Sequence, residues 1–185
     1  AARNGAEVTV IEHMDRVGKK ILSTGNGRCN LTNYKMEEDC YRCGRKDFPM
    51  QVIRGFDVKE TLDLFMGLGI VPKDRNGYVY PNSDQAASVL DVLRTELERL
   101  KVRILLSCQI EKIEKKKNGG FLVHTDQGKV ETDALILAAG SKAAPSTGSD
   151  GSGYEYARQL GHSVIKSLPA LVQLRCQGNL YKQMA

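Results

Sequence analysis

The spacing of apolar and polar positions changes period along the chain, and each change marks an element. Ala1 to Gly5 reads as the last turn of a helix with Gly5 as its C-cap. Glu7-Val8-Thr9-Val10-Ile11-Glu12 is a short β-branched run closed by a carboxylate, which predicts a strand over 7–11. Residues 34–46 are polar and without period, and a short apolar stretch follows at 48–56. Asp57, with Glu60 three residues on, predicts an N-cap for a helix running to about Leu68 and stopped by Gly69, with Leu62, Phe65, Met66 and Leu68 on its buried side. Gly77 to Pro81 predicts a short strand ended by proline. Ser83 or Asp84 is expected to cap the next helix, where Val89, Leu90, Leu93, Leu97 and Leu100 recur at helical spacing while Arg94, Glu96, Glu98 and Arg99 mostly face water.

From Val102 the period falls to two. Strands are expected at 102–106, 109–115, 121–125 and 129–132, with turns at Asn118-Gly119-Gly120 and Gln127-Gly128, although Ile110 and Ile113 do not alternate cleanly. Asp133-Ala134-Leu135-Ile136-Leu137-Ala138-Ala139-Gly140 is continuously apolar and ends in small residues, the pattern of a strand buried on both faces of a mainly parallel sheet. A glycine-rich loop over 147–153 leads into an expected helix at 154–160. Backbone N–H groups at such a helix start make it an anion-site candidate, but a lone G-x-x-G-x-G is a weak signal. Pro169 to Leu174 reads as extended.

One stretch fits no core. Val17 to Asn33, V-G-K-K-I-L-S-T-G-N-G-R-C-N-L-T-N, packs glycines, cations and a cysteine into one loop soon after the first strand. Gly25 and Gly27 allow positive φ and close approach to a ligand, and Lys19, Lys20 and Arg28 supply donors for phosphates or an electron-rich ring. Glu12 stands where the second strand of a dinucleotide-binding βαβ unit ends in an acid, whose carboxylate accepts hydrogen bonds from ribose hydroxyls. The bland readings are a solvated glycine connector and a surface acid. Their succession within a few residues favours the cofactor reading.

Composition narrows the function classes. At 185 residues, with 41% hydrophobic and 26% charged residues, the chain is expected to form one domain and part of another. No apolar run approaches the roughly 18 residues of a membrane span, and no leader pattern opens the chain, so a cytoplasmic, membrane-free protein is expected. The formal charge of +5 is mild and tryptophan is absent, which argues against a nucleic-acid partner. Five cysteines, an odd number, argue against a disulfide framework, and Cys40-Tyr41-Arg42-Cys43 lacks the second ligand pair of a zinc site, so no metal is expected. His162 has no nucleophile pattern around it. A redox-sensing role for Cys29, or for Cys40 with Cys43, is a third possibility after an oxidoreductase and a nucleotide-binding module without catalysis.

The runs V-T-V-I-E (8–12), V-G-K-K-I-L-S-T-G-N-G-R-C-N-L-T-N (17–33), L-I-L-A-A-G (135–140), T-G-S-D-G-S-G-Y (147–154) and L-G-H with P-A-L-V-Q-L (160–174) occur in this order. Together they resemble the N-terminal half of the bacterial FAD-dependent oxidoreductases called aminoacetone-oxidase-like or BaiN-like. The resemblance implies an α/β, Rossmann-like FAD-binding flavoprotein fold, a mainly parallel sheet with an added antiparallel β-meander, incomplete at both ends. It implies non-covalent FAD, a nicotinamide, NAD(P)H, or organic electron donor, and a small-molecule substrate. By matching positions, Glu12 would hold the adenosine ribose. Lys20, Thr24, Gly25, Asn26, Gly27, Arg28, Cys29 and Asn30 would line the pyrophosphate-to-flavin side, Ala139 and Gly140 would close over the cofactor, and Ile110 would touch adenine. Residues 1–174 are then a partial FAD/NAD(P)-binding domain and 175–185 the start of a substrate domain. The first strand and its G-x-G-x-x-G loop are missing from the pattern, so FAD binding by this chain alone is expected to be poor.

Overall fold

The computed structural model describes residues 1–169. The expected extended segment at 169–174 and the boundary at 174/175 lie beyond these residues, apart from Pro169. A 3-10 turn over Ala2–Asn4 ends at Gly5, whose φ of 85° is left-handed and whose N–H donates to Ala2 O, as the C-cap reading required. Strand β1 (Thr9–Ile11) follows. Residues 17–33 form a compact 3-10 turn over Ile21–Gly27 and then the two-residue strand β2 (Thr32–Asn33).

The apolar stretch after residue 47 coils into helix α1 (Phe48–Ile53) with proline in its first turn. Helix α2 (Val58–Gly67) carries the expected capping box: Asp57 accepts from the Glu60 N–H at 2.9 Å and Glu60 accepts from the Asp57 N–H at 2.8 Å. Leu62 is buried on it, but Met66 stays 48% exposed, so the apolar side is narrower than the spacing predicts. Strand β3 (Pro72–Arg75) and strand β4 (Tyr78–Pro81) form a hairpin about Asn76-Gly77, both with positive φ. That dipeptide is a strong two-residue hairpin signal. Strand β2 pairs antiparallel with β4, giving a three-stranded sheet in the order β2-β4-β3.

Helix α3 (Ala86–Arg99) is capped by neither Ser83 nor Asp84 but begins after Gln85 as N-cap, with no side-chain cap. Asp84 is drawn away from capping because its Oδ2 takes Lys73 Nζ at 3.0 Å and Arg75 Nη2 at 2.5 Å. Strand β5 (Arg103–Leu105) lies parallel to β1, in the register Thr9 to Arg103, Val10 to Ile104 and Ile11 to Leu105. The β-meander is present: β6 (Ile110–Lys115), β7 (Phe121–Thr125) and β8 (Gly128–Thr132) pair antiparallel in that order. A register shift between Ile110 and Lys112 explains why the isoleucines of β6 do not alternate. Helix α4 (Ser152–Gln159) follows a 3-10 turn at Pro145–Thr147.

One expected element is not formed. Residues 133–140 are not a strand buried on both faces, and Ile136 is 80% exposed. Apolar composition alone does not make a strand; a ladder needs a neighbour, and among the described residues no strand pairs with this run. The parallel sheet therefore has two strands here, β1 and β5. The core forms two clusters. Cys29, Ile70, Ala86 and Val89 gather with Ile21, Leu31 and Phe65 around them, while Ile113, Val123 and Tyr156 gather with Ile11, Ile110 and Leu135.

Candidate cofactor site

The predicted site residues fall on two arms, one on each core cluster. The first arm is the end of β1. Its backbone runs on beside the segment after β5, since Glu12 N–H donates to Leu105 O at 2.9 Å, Ser107 N–H to Met14 O at 2.9 Å and Cys108 N–H to Glu12 O at 3.1 Å. This fixes Glu12 where the strand ends. Its Oε1 accepts the Met14 N–H at 2.9 Å, so one carboxylate oxygen is anchored while the half-exposed side chain keeps acceptor capacity on the other.

The glycine-rich loop over 147–153 packs against this strand end. A Cβ on Gly148 would lie 3.3 Å from Met14 Cγ and 3.7 Å from the His13 ring. The same loop reaches the A-A-G segment, since a Cβ on Gly153 would lie 3.1 Å from Ala139 Cβ and one on Gly140 would lie 3.3 Å from Ser149 Oγ. His13-Met14, which follow Glu12, and Ala139-Gly140, far apart in sequence, are thus bridged by one loop. Asp150 accepts the Ser152 N–H at 2.9 Å, and the hydrogen bonds from Ser152 hold its carboxyl below the ordinary value. Ile110 is tied in through its carbonyl, which accepts Tyr156 Oη–H at 2.8 Å, and burial pushes the Tyr156 phenol up. The Ile110 side chain packs in the second core cluster, so the structure gives it a packing role there.

The second arm is the loop over 17–33, seated on α3 and the β3–β4 hairpin. Arg94 Nη2 donates to Val17 O at 3.0 Å, so this residue does not simply face water; it ties the start of the loop to α3. Leu31 N–H donates to Val79 O at 2.8 Å at the other end. Between these ties Gly25, Asn26 and Gly27 have φ of 55°, 55° and 81°, and Cys29 has φ of 62°. Residues other than glycine held there carry strain of order 1–3 kcal/mol, and such strain clusters at ligand-binding segments. A Cβ on Gly25 would sit 2.7 Å from the Asn30 nitrogen and 3.1 Å from Tyr80 Cε1, so glycine is required by space as well as by φ. Asn26, Gly27 and Asn30 are exposed, Lys20, Thr24 and Arg28 are half-buried, and Thr24 Oγ1 donates to Ile21 O at 2.7 Å.

Cys29 points inward: its side chain is buried with Ile70, Ala86 and Val89, so its thiol belongs to the core and is turned away from the outer side of the loop. Arg28 lies over the Tyr80 ring at 5.2 Å from the centroid and donates from Nε to Gly25 O at 3.3 Å. Tyr80 and Arg94 were not legible as site residues, because each meets the loop across more than 50 positions of sequence. Among the described residues no hydrogen bond joins the loop over 17–33 to 139–153. Cys29, Cys40, Cys43 and Cys108 are free thiols, no group of three or more metal-ligating side chains occurs among the described residues, and no helix there is long and apolar enough to cross a membrane.

A strand ending in an anchored carboxylate, parallel to a second strand and followed by a strained, cationic glycine loop, is the arrangement of a Rossmann-type domain. The chain belongs to the family described as HI0933-like protein Rossmann domain, which matches residues 1–172 and bears out the family resemblance and the α/β class read from the sequence. It is 46% identical over 180 residues to the 3-dehydro-bile acid delta(4,6)-reductase of Clostridium scindens, covering 97% of this chain and 44% of that protein. It is 27% identical over 185 residues to the ribosomal RNA dihydrouridine synthase of Escherichia coli, covering 100% of this chain and 46% of that protein. The Haemophilus influenzae protein of the same name is 26% identical over 175 residues, covering 92% of this chain and 43% of that protein. The chain therefore spans about half the length of the curated relatives it matches. Among solved structures, Thermovibrio ammonificans THI4 superposes with a TM-score of 0.41 at 10% identity over 72% of this chain and 46% of that one. The amino acid oxidase NikD superposes with a TM-score of 0.44 at 14% identity over 77% of this chain and 47% of that one.

Proposed function

We propose that this chain is the cofactor-binding part of an FAD-dependent oxidoreductase. The observation that carries the reading is Glu12, held at the end of β1 with one carboxylate oxygen fixed by the Met14 N–H and capacity left to accept ribose hydroxyls. The donor set fits the rest of a dinucleotide: Lys20 and Arg28 offer positive charge for phosphates, and the exposed backbone over Asn26-Gly27 lets a flat ligand approach closely. Ala139-Gly140 supplies a surface without bulky side chains beside the loop that meets His13 and Met14, the residues after Glu12. FAD supplies two-electron hydride chemistry when bound, and the protein's share is to hold and orient it.

The names of the relatives support a substrate class. A 3-dehydro group with delta(4,6) unsaturation is a carbonyl conjugated to C=C bonds, and dihydrouridine is uridine with the C=C next to a ring carbonyl saturated. We therefore assign to the full-length protein the reduction of an alkene conjugated to a carbonyl in a small molecule, with NAD(P)H as electron donor. The higher identity to the bile-acid enzyme supports a free small molecule over an RNA base. The free thiols of Cys29, Cys40, Cys43 and Cys108 among the described residues support a reducing compartment, the cytoplasm.

The test is the flavin-to-protein ratio of the full-length protein after gel filtration, followed by FAD titration of the stripped protein. Stoichiometric flavin is expected. Glu12→Ala should weaken FAD by about 1–3 kcal/mol, the cost of charged hydrogen bonds lost to a bound partner. An unchanged dissociation constant would remove Glu12 from the site, and a colourless full-length protein that takes up no FAD would end the flavoprotein reading.

A further inference from the structure

The loop over 17–33 has a cation whose position is set by a residue far away in sequence. Arg28 is half-buried, and one nitrogen, Nε, is spent on Gly25 O at 3.3 Å. Its planar head lies over the ring of Tyr80, 5.2 Å from the centroid. No hydrogen bond or ion pair to Nη1 or Nη2 is made by any side chain or carbonyl among the described residues, although these are the donors that form a fork. A guanidinium stacked on one face and fixed at Nε has lost most of its rotamer freedom while its fork stays open. That is the arrangement of a donor prepared for a pair of anionic oxygens.

Tyr80 does two jobs from one strand. It backs Gly25, where its Cε1 would lie 3.1 Å from any added Cβ, and it carries the head of Arg28. Its own place is fixed by the hairpin, through the pairing of Lys73 with Tyr80 and the buried neighbours Val79 and Pro81 on β4. The ring is therefore a rigid platform under the G-N-G-R turn.

We propose that Tyr80 is a positioning residue for cofactor binding: its ring holds the Arg28 guanidinium so that the two terminal nitrogens meet the diphosphate of FAD as a preformed fork. The inference rests on the flavoprotein reading above. It assigns Tyr80 no contact with the cofactor and no part in hydride transfer; Tyr80 acts through Arg28.

The experiment is a double-mutant cycle on the full-length protein, read as the FAD dissociation constant of the stripped protein by quenching of flavin fluorescence. Tyr80→Leu should weaken FAD about fivefold, the scale of one partly desolvated cation–π contact. Tyr80→Phe keeps the aromatic face and should stay within about twofold of the wild type. In the Arg28→Gln background Tyr80→Leu should cost almost nothing further, because the group it positions is gone. A merely structural role for Tyr80 would give the same loss in both backgrounds, and that additive result overturns the proposal while leaving FAD binding itself intact. Wild-type affinity in Tyr80→Leu overturns it as well. Should Tyr80→Leu not fold, Tyr80→Met, whose unbranched chain fills irregular gaps, takes its place in the same cycle with the same expected outcomes. A wild-type protein that binds no FAD overturns both this inference and the flavoprotein reading, and so is told apart from failure of the inference alone.

Discussion

Cys29 and Gly25 show how much of the loop is decided residue by residue. Cys29 is held at φ 62° with its thiol in the core, and its N–H donates to Thr24 O at 3.0 Å, so packing and a backbone bond offset the conformational cost. Gly25 has no such latitude. Gly25→Ala should destabilise the protein by about 1–3 kcal/mol, because the added Cβ meets the Asn30 backbone nitrogen at 2.7 Å in a left-handed conformation. The loss should appear as a lower thermal midpoint of the ligand-free protein; an unchanged midpoint would mean that the turn relaxes freely. Glu12 and the G-N-G-R run were legible in the sequence because strand period and loop chemistry are local. Tyr80 and Arg94 were not, since a tyrosine in a short strand and an arginine on a polar helix face carry no local mark of the loop they touch.

Among the elements, the helices with local signals were the readable ones. The capping box at Asp57 and Glu60 formed as its spacing required, and Asp57→Ala should cost about 1 kcal/mol, measurable as a lower urea midpoint with an unchanged slope. Helix α3 was readable as an apolar stripe, but its tie to the chain start was not. Arg3 Nε donates to Glu96 Oε1 at 2.7 Å, and Arg99 donates to both Glu96 oxygens. Hydrogen bonds from Arg99 first, then Arg3, hold the Glu96 carboxyl down at about 2 against an ordinary 4.5. A depressed carboxylate stabilises the fold above its unfolded value and loses that contribution as pH falls towards the folded one. The stability difference between the wild type and Glu96→Gln should therefore be constant above about pH 6 and vanish between roughly pH 5 and 2. A difference that does not change across this window would show that the arginines do not bind Glu96 in solution. Strand β4 was read from the sequence but its hairpin partner β3 was not, although Asn76-Gly77 is a local turn signal, and residues 133–140 carried a strand pattern with no partner in the described structure. Composition reports the environment a segment favours, and pairing depends on the neighbour it meets.

At the scale of the whole molecule, the two core clusters are small and several apolar side chains face water. Ile136 is 80% exposed, Leu137 38%, Val52 61% and Phe56 53%. Of these, the run over 133–140 differs in kind, because its backbone is open too. Its N–H groups make no backbone hydrogen bonds among the described residues, and only its Ala134 carbonyl is taken, by Thr132 Oγ1–H at 2.9 Å. An apolar segment whose backbone donors and acceptors find no partner among the described residues is a template for pairing between chains, and natural edges are blunted by charge, lysine above all. The 185-residue chain alone should therefore aggregate at micromolar concentration, and Ile136→Lys should raise its monomeric fraction in gel filtration severalfold. Met66→Lys is the control: Met66 is 48% exposed, but it sits on α2, whose backbone is satisfied within the helix. That substitution should change the monomeric fraction little. Equal rescue by both lysines would show that aggregation follows net charge or scattered apolar surface, and would remove residues 133–140 from the explanation. Rescue by Ile136→Lys alone would identify this segment as the edge through which the chain associates.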